Sequence, residues 1–273
     1  MAGRLLIAGC GDLGARLHAR LGGEWSVTGL RRNVERLPGG MDGIPADLLD
    51  PRTLDALPRD WDAVIYTATP GAFDADAYRA TYCTGLAHLL DRVRTSRLLF
   101  VSSTAVYGQD RGEWVDEDSI TEPTRFNGRV LLDGERIARE AGGVVVRFSG
   151  IYGPGRDALV RKLRAGGVEC RRMPPQWTNR IHADDAAAAL AHLLTLDADR
   201  RVWLASDERP APKFEVLAWL AQRLGVAGPE AVDGEECEDS AGQGKRVSSA
   251  RLRATGLRLQ YPDFEHGYEA LLA

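Results

Sequence analysis

Residues 4–14 read RLLIAGCGDLG, and the fold is decided in this stretch. Leu5, Leu6, Ile7 and Ala8 form an apolar run that stops at Gly9, the pattern of a short strand buried on both faces. Immediately afterwards, apolar residues recur at helical spacing through DLGARLHARL (12–21). Between strand and helix, Gly9-Cys10-Gly11-Asp12-Leu13-Gly14 fits the pattern G-x-G-x-x-G. Each glycine has a physical reason in that context: Gly9 for the tight turn, Gly11 for close approach of backbone to a pyrophosphate, Gly14 for close helix–strand packing. Free amides at a helix start face an anion. The stretch predicts a dinucleotide loop with Gly9, Gly11, Asp12, Leu13 and Gly14 as its contacts.

Working outward, strands are expected at WSVTGL (25–30), DAVIYTA (62–68), RLLFVSST (97–104) and GVVVRFSG (143–150), and helices at 74–95 and 131–141. Strands alternating with helices predict right-handed crossovers and a doubly wound, Rossmann-type parallel sheet, an α/β fold. Past residue 150 the alternation loosens. DDAAAALAHLLTL (184–196) and KFEVLAWLAQRLGV (213–226) read as helices and RVWLAS (201–206) as a strand. RRMPPQWTNR (171–180) and the acidic 228–246, which contains the charge run EECED (235–239), read as turn-rich loops. The expected organisation is a dinucleotide-binding domain over 1–150, its sheet completed by 179–206. A small substrate-side α/β subdomain follows, from 151–178 and 207–273. A binding cleft is expected at the carboxyl ends of the strands, between the two.

The second strand runs straight into Arg31-Arg32, where a site for NAD usually carries an acid. A carboxylate there repels the extra phosphate of NADP, whereas guanidinium groups bind it in a fork. NADP is therefore the expected cofactor, with NAD the alternative. Asp47, after a short third strand, could accept from an adenine amino group or cap the following turn.

Bulk composition narrows the function classes. The chain has 273 residues with 44% hydrophobic and 27% charged, ordinary for a globular protein. A net charge of -4 gives no field for nucleic acid or an anionic membrane. Cys10, Cys83, Cys170 and Cys237 are widely separated, so neither a zinc site nor a disulfide framework is expected, and a reducing cytoplasm fits best.

With VSSTAVYG (101–108), RFSGIYGPGR (147–156) and NRIHADDAAAAL (179–190) added to the glycine loop, the chain resembles the extended short-chain dehydrogenase/reductases, which include the NAD-dependent epimerases and dehydratases. In detail it is similar to the atypical, YeeZ-like bacterial members. The resemblance implies further cofactor contacts from Thr67, Ala68 and Ser102. It implies a small-molecule substrate, with nucleotide sugars suggested by the family alone, and substrate contacts from Arg129, Tyr152, Arg156 and Arg180. It also implies a homodimer formed through the segments 74–95 and 131–141.

One departure matters. The family's Tyr-x-x-x-Lys pair aligns with Asn127 and Leu131 in NGRVL (127–131), and no lysine precedes Lys162. No tyrosine anywhere in the chain has a lysine four residues on. Asn is no general acid or base near neutral pH, and Leu cannot bond a ribose. Three readings stand. Either another donor serves an altered oxidoreductase, from Ser103, Thr104, Tyr107, Tyr82 or Ser102, with Arg129 supplying charge. Or the dinucleotide is a ligand of a non-catalytic redox sensor or scaffold. Or the cofactor site is vestigial. His182, Asp184 and Asp185 could be a ligand cluster, but a strand end followed by a helix capped by Asp184 explains them, and no metal is expected.

Overall fold

The computed structural model describes residues 2–197, 201–232 and 242–273. Cys237 and the charge run at 235–239 lie outside the described residues. In chain order the principal elements are β1 (Gly3–Ala8), α1 (Asp12–Leu21), β2 (Trp25–Arg31), β3 (Asp42–Pro45), β4 (Ala63–Tyr66), α2 (Ala75–Arg79), α3 (Leu86–Arg92), β5 (Leu98–Ser103), α4 (Phe126–Glu140) and β6 (Val144–Phe148). These are followed by β7 (Gly150–Tyr152), α5 (Ala158–Ala165), β8 (Arg180–His182), α6 (Ala183–Thr195), β9 (Val202–Ala205), α7 (Lys213–Leu224), α8 (Ala250–Ala254) and α9 (Phe264–Leu272).

Seven strands form one sheet in the order β9-β6-β5-β4-β1-β2-β3. The pairs β1–β2, β1–β4, β4–β5 and β2–β3 are parallel, with Leu5 opposite Val27 and Ala63, and Ile65 opposite Leu99. Leu5 to Ala8 and Ala63 to Tyr66 are all fully buried, which is why these strands read as continuous apolar runs instead of alternating ones. The order reverses beside β1, so this is the doubly wound, Rossmann-type α/β architecture, and ligands of such sheets bind outside the carboxyl ends of the strands near that switch point.

The helical stretch expected over 74–95 spans 75–92: α2, capped by the Asp74 carboxylate accepting from Ala77 N at 2.8 Å, then a π-helical segment at Ala80–Gly85, then α3. Val93 leaves the helix in extended conformation, and Arg94–Thr95 pairs with Asp60–Trp61. α4 starts at Phe126, five residues before the expected 131, so Asn127 and Gly128 lie in its first turn. A Cβ on Gly128 would stand 2.4 Å from the Ala105 carbonyl, so the helix start is seated on the loop after β5 by backbone contact.

The chain divides into two compact units: residues 1–106, 121–147 and 186–203, and residues 107–120, 148–185 and 204–273. The first has a core of Leu6, Leu30, Val64, Tyr66, Leu86 and Phe100 with their neighbours. The second closes its own around Tyr152, Val160, Leu217, Leu220, Phe264 and Tyr268. Here α7 packs on α5, and β8 pairs with β7. No described helix is long and apolar enough to cross a membrane.

Candidate cofactor and substrate sites

In the first unit β1 delivers the chain into the glycine loop. Gly9 has φ +78°, and a Cβ there would lie 2.4 Å from the Ala68 Cα, so only glycine fits. The amides of Gly9 and Cys10 donate to the Leu30 carbonyl, and the Thr67 hydroxyl donates to the Gly9 carbonyl at 3.1 Å. Thr67 and Ala68, expected as cofactor contacts, thus hold the loop from the neighbouring strand end. A Cβ on Gly14 would meet Cys10 Sγ at 2.6 Å and Ile7 Cγ2 at 3.0 Å, whereas one on Gly11 would meet nothing nearer than 3.9 Å. That open side of Gly11 is the N-cap of α1, and no side chain caps the helix; Asp12 instead pairs with Arg16 at 3.0 Å, and Leu13 is buried. Uncapped amides and the helix dipole at one spot suit an anion. The Cys10 thiol is pushed up to about 11 by burial, against the pull of Arg31, so it stays protonated.

The loop forms one wall of a cavity of about 540 Å³, within the range of small-molecule sites. Arg31, Arg32 and Arg36 line it on one side, Leu48, Leu49 and Ala68 on others. Arg31 donates to the Arg36 carbonyl at 3.3 Å, which ties the turn after β2 together. Arg36 escaped the reading of the sequence, because the turn that returns it beside Arg31 leaves no periodic signal. Asp47 does not line the cavity; its carboxylate accepts from Leu49 N at 3.0 Å, the turn-forming role. These residues fit a dinucleotide: uncapped amides for the pyrophosphate, guanidinium groups at the far end of β2, and no acid among the lining residues there.

At the end of β5, Ser102 is buried and its hydroxyl donates to the Glu135 carboxylate at 2.6 Å. Glu135 is in turn held by a fork from Arg147, at 2.9 Å from Nε and 2.6 Å from Nη2. Ser103 Oγ accepts from Ala105 N at 3.2 Å, and Thr104 opens a short 3-10 turn. Asn127, Leu131 and Glu135 follow one another at four-residue intervals on α4. Leu131 is buried, whereas the Asn127 Oδ1 is shielded from solvent without a hydrogen-bond partner. Arg129 is exposed and donates to the Thr124 carbonyl. Tyr82 packs edge-on against Phe100, and burial pushes its phenol up to about 12. The Glu135–Arg147 pair was missed from sequence, although a lone arginine inside VVVRF signals a buried partner.

The second unit holds the remaining candidates. Tyr107 is buried and its hydroxyl donates to the Asp116 carbonyl at 2.8 Å. Tyr152 and Arg180, each 5% exposed, stand on the paired strands β7 and β8 and line a smaller cavity of about 230 Å³ with Arg156 and Lys213. The Tyr152 hydroxyl has no hydrogen-bond partner, and burial drives its ionisation well above the ordinary range. Asp207, beside them, is 1% exposed with neither carboxylate oxygen in a well-formed hydrogen bond, and burial pushes it up to about 8 against the pull of Arg180. Asp184, expected as a cap, is already within the first turn of α6. The Asp185 oxygens accept from Gln260 N and Tyr261 N, at 2.8 and 2.9 Å. No group of three His, Cys, Asp or Glu among the described residues is placed to hold a metal ion.

The chain matches the NAD dependent epimerase/dehydratase family over residues 5–204. It belongs to that family. It is 28% identical to Protein YeeZ of Escherichia coli strain K12, over 95% of this chain and 97% of that one. A solved structure from Methylobacillus flagellatus, described as an NAD-dependent epimerase/dehydratase, is 37% identical and superposes with a TM-score of 0.83, covering 100% of this chain and 98% of that one. UDP-glucose 4-epimerase from Thermus thermophilus, solved with NAD, shares the fold at 20% identity and a TM-score of 0.78, over 98% and 97% of the two chains. Family membership accords with the glycine loop, the seven-stranded sheet and the order of the motifs.

Proposed function

We propose that this chain is an NADP-preferring oxidoreductase of the epimerase/dehydratase type that works without a Tyr-Lys pair. The observation that carries the reading is the cavity beside the uncapped start of α1, bordered by Arg31, Arg32 and Arg36 and by no acid. Gly11, Asp12 and Leu13 would hold the pyrophosphate, and the arginines the adenosine-ribose phosphate. When bound, such a cofactor supplies or accepts hydride at its nicotinamide ring.

The protein's own groups must then place the substrate oxygen and handle its proton. The tyrosines are poorly suited to either role. Tyr107 donates to a carbonyl, and Tyr82 and Tyr152 are held protonated by burial. Ser103 and Thr104 are the hydroxyls in the family's positions, with Ser102 engaged by Glu135. Hydroxyl positioning without a matched acid supports slow turnover, since general acid–base catalysis contributes about 10²–10⁴-fold. Tyr152, Arg156 and Arg180 are read as substrate contacts in the second unit, with Arg129 a further one from α4. UDP-glucose, bound with NAD by a neighbour of the same fold, sets the substrate class to try first. A cytoplasmic homodimer through α2, α3 and α4 completes the reading.

The unpartnered Asn127 amide oxygen and buried Leu131 favour a second reading, a dinucleotide-binding sensor without turnover. Single-turnover hydride transfer separates the two, read as reduction of NADP+ by nucleotide sugars, whose alcohol carbons give hydride, and as oxidation of NADPH by ketones, which accept it. The first reading expects slow transfer in one of these directions that falls at least tenfold in Ser103→Ala; nucleotide binding with no transfer in either direction selects the second.

A further inference from the structure

Phe73 leaves a large ring in water at the edge of the sheet where ligands bind. It is 68% exposed, on the loop that leaves β4 at the carboxyl ends of the strands. Thr69 and Gly71 of the same loop line the cavity beside α1. The ring is nonetheless firmly seated. Its centroid lies 5.5 Å from that of Tyr78 on α2 and 5.1 Å from that of Phe126 at the start of α4. Tyr78 and Phe126 are themselves 5.4 Å apart, and all three pairs meet edge-on. Tyr78 packs on Tyr82, and Tyr82 on the buried Phe100, so the triad is rooted in the core of the first unit. A rigid aromatic base with one ring open to solvent can take a further flat ring.

Polar groups around the triad are few. From Ala68 to Asp74 only Thr69 and Asp74 have polar side chains, and the Asp74 carboxylate is spent capping α2. Arg79 is paired with Asp133, and Arg129 donates to the Thr124 carbonyl. Asn127 is different. It follows Phe126 in the first turn of α4, and its Oδ1 has no hydrogen-bond partner. An acceptor shielded from water and left unbonded is costly, so this side chain gains by turning to a donor that a ligand brings. No side chain caps α4, and its first amides can in turn donate to the oxygen of that ligand. One residue on, Gly128 is seated against Ala105, whose amide donates to Ser103 Oγ, so the same helix start is tied to the hydroxyls at the end of β5.

We infer that the start of α4 is the site of an aryl alcohol, with Phe73, Tyr78 and Phe126 holding the ring and Asn127 accepting from the hydroxyl. A sugar, polar around its whole edge, finds few partners on this surface, whereas a flat apolar ring gives up no hydrogen bonds by settling on it. The inference deepens the oxidoreductase reading by naming a substrate class. It rests on that reading for the reaction only, since binding of the alcohol needs no dinucleotide.

The test is fluorine NMR of the full chain, titrated with para-fluorobenzyl alcohol and with fluorobenzene, with UDP-glucose as competitor, each with and without NADPH. The alcohol is expected to bind with a Kd of about a millimolar, ordinary for so small a ligand, and fluorobenzene at least fivefold more weakly. Phe73→Ala, which trims an exposed ring and leaves the core alone, should weaken the alcohol at least fivefold. Asn127→Leu should bring it down to the level of fluorobenzene. Alcohol binding no tighter than fluorobenzene overturns the proposal, as does binding indifferent to both substitutions, or UDP-glucose displacing the alcohol with the higher affinity. Sedimentation at the same concentrations reads the part of a second copy: a dimer that Phe73→Ala dissociates, with no alcohol bound, gives the rings to the partner chain and overturns the proposal. Alcohol binding that depends on Phe73, in a protein that does not bind NADPH, upholds this site and removes the cofactor reading; NADPH binding without it does the reverse.

Discussion

Replacing Asp207 with Asn removes a buried carboxyl while keeping its shape. In the folded chain burial lifts this group from its ordinary 3.8 to about 8. Each pKa unit is worth about 1.36 kcal/mol, so the ionised form is disfavoured by at most about 6 kcal/mol. Between about pH 4 and pH 8 the native state therefore holds a proton that the unfolded chain has released. Stability contributed by this site falls as pH rises through that window and is flat above it. The asparagine variant has no such slope. It should match the parent near pH 4 and exceed it near pH 8.5. Allowing for relaxation around the charge, a gain of about 3 kcal/mol is expected there, which for a chain of this size raises Tm by roughly 6 °C or more. Thermal unfolding followed by tryptophan fluorescence at pH 4.5, 6.5 and 8.5 reads the difference. A difference between parent and variant that is constant across pH refutes the reasoning, because it means that Asp207 titrates alike folded and unfolded.

Three other perturbations follow from the same geometry. Glu135→Ala leaves Arg147 buried without its carboxylate and should cost about 3–5 kcal/mol in urea unfolding, well beyond the effect of a surface Glu→Ala change. Gly9→Ala introduces a side chain at φ +78° against Ala68, and should abolish NADPH binding while lowering Tm. A Cβ at Gly267 would lie 1.8 Å from the Tyr152 hydroxyl, so Gly267→Ala should destabilise by about 1–3 kcal/mol, and Tyr152→Phe in the same chain should restore part of the loss.

What was legible in the sequence was local or periodic. The apolar runs at 5–8 and 62–68 and the glycines at 9, 11 and 14 announce a buried strand and the turn into α1, because burial and backbone shape dictate residue type directly. The start of α4 was less legible. The helix was expected only from 131, yet Gly128 lies in its first turn, where helix backbone rests on the Ala105 carbonyl, a contact made at a distance along the chain. The same holds for the charged groups. Glu135 and Arg147 are twelve residues apart, and Arg36 reaches the cavity beside α1 only through a turn. Asp207 and Arg180 acquire their meaning from burial, which no short motif encodes. Arg31 and Arg32, which line the cavity beside α1, were legible because they end a strand at the carboxyl edge of the sheet, where ligands of such folds bind.

That the cavity beside α1 is a site for NADP is tested most directly by equilibrium titration with NADPH and NADH, read by quenching of the six tryptophans. NADPH should bind at least tenfold more tightly than NADH. Alanine at Arg31, Arg32 or Arg36 should erode that preference while leaving NADH within about twofold. Tighter binding of NADH, or binding of neither nucleotide at millimolar concentration, contradicts it.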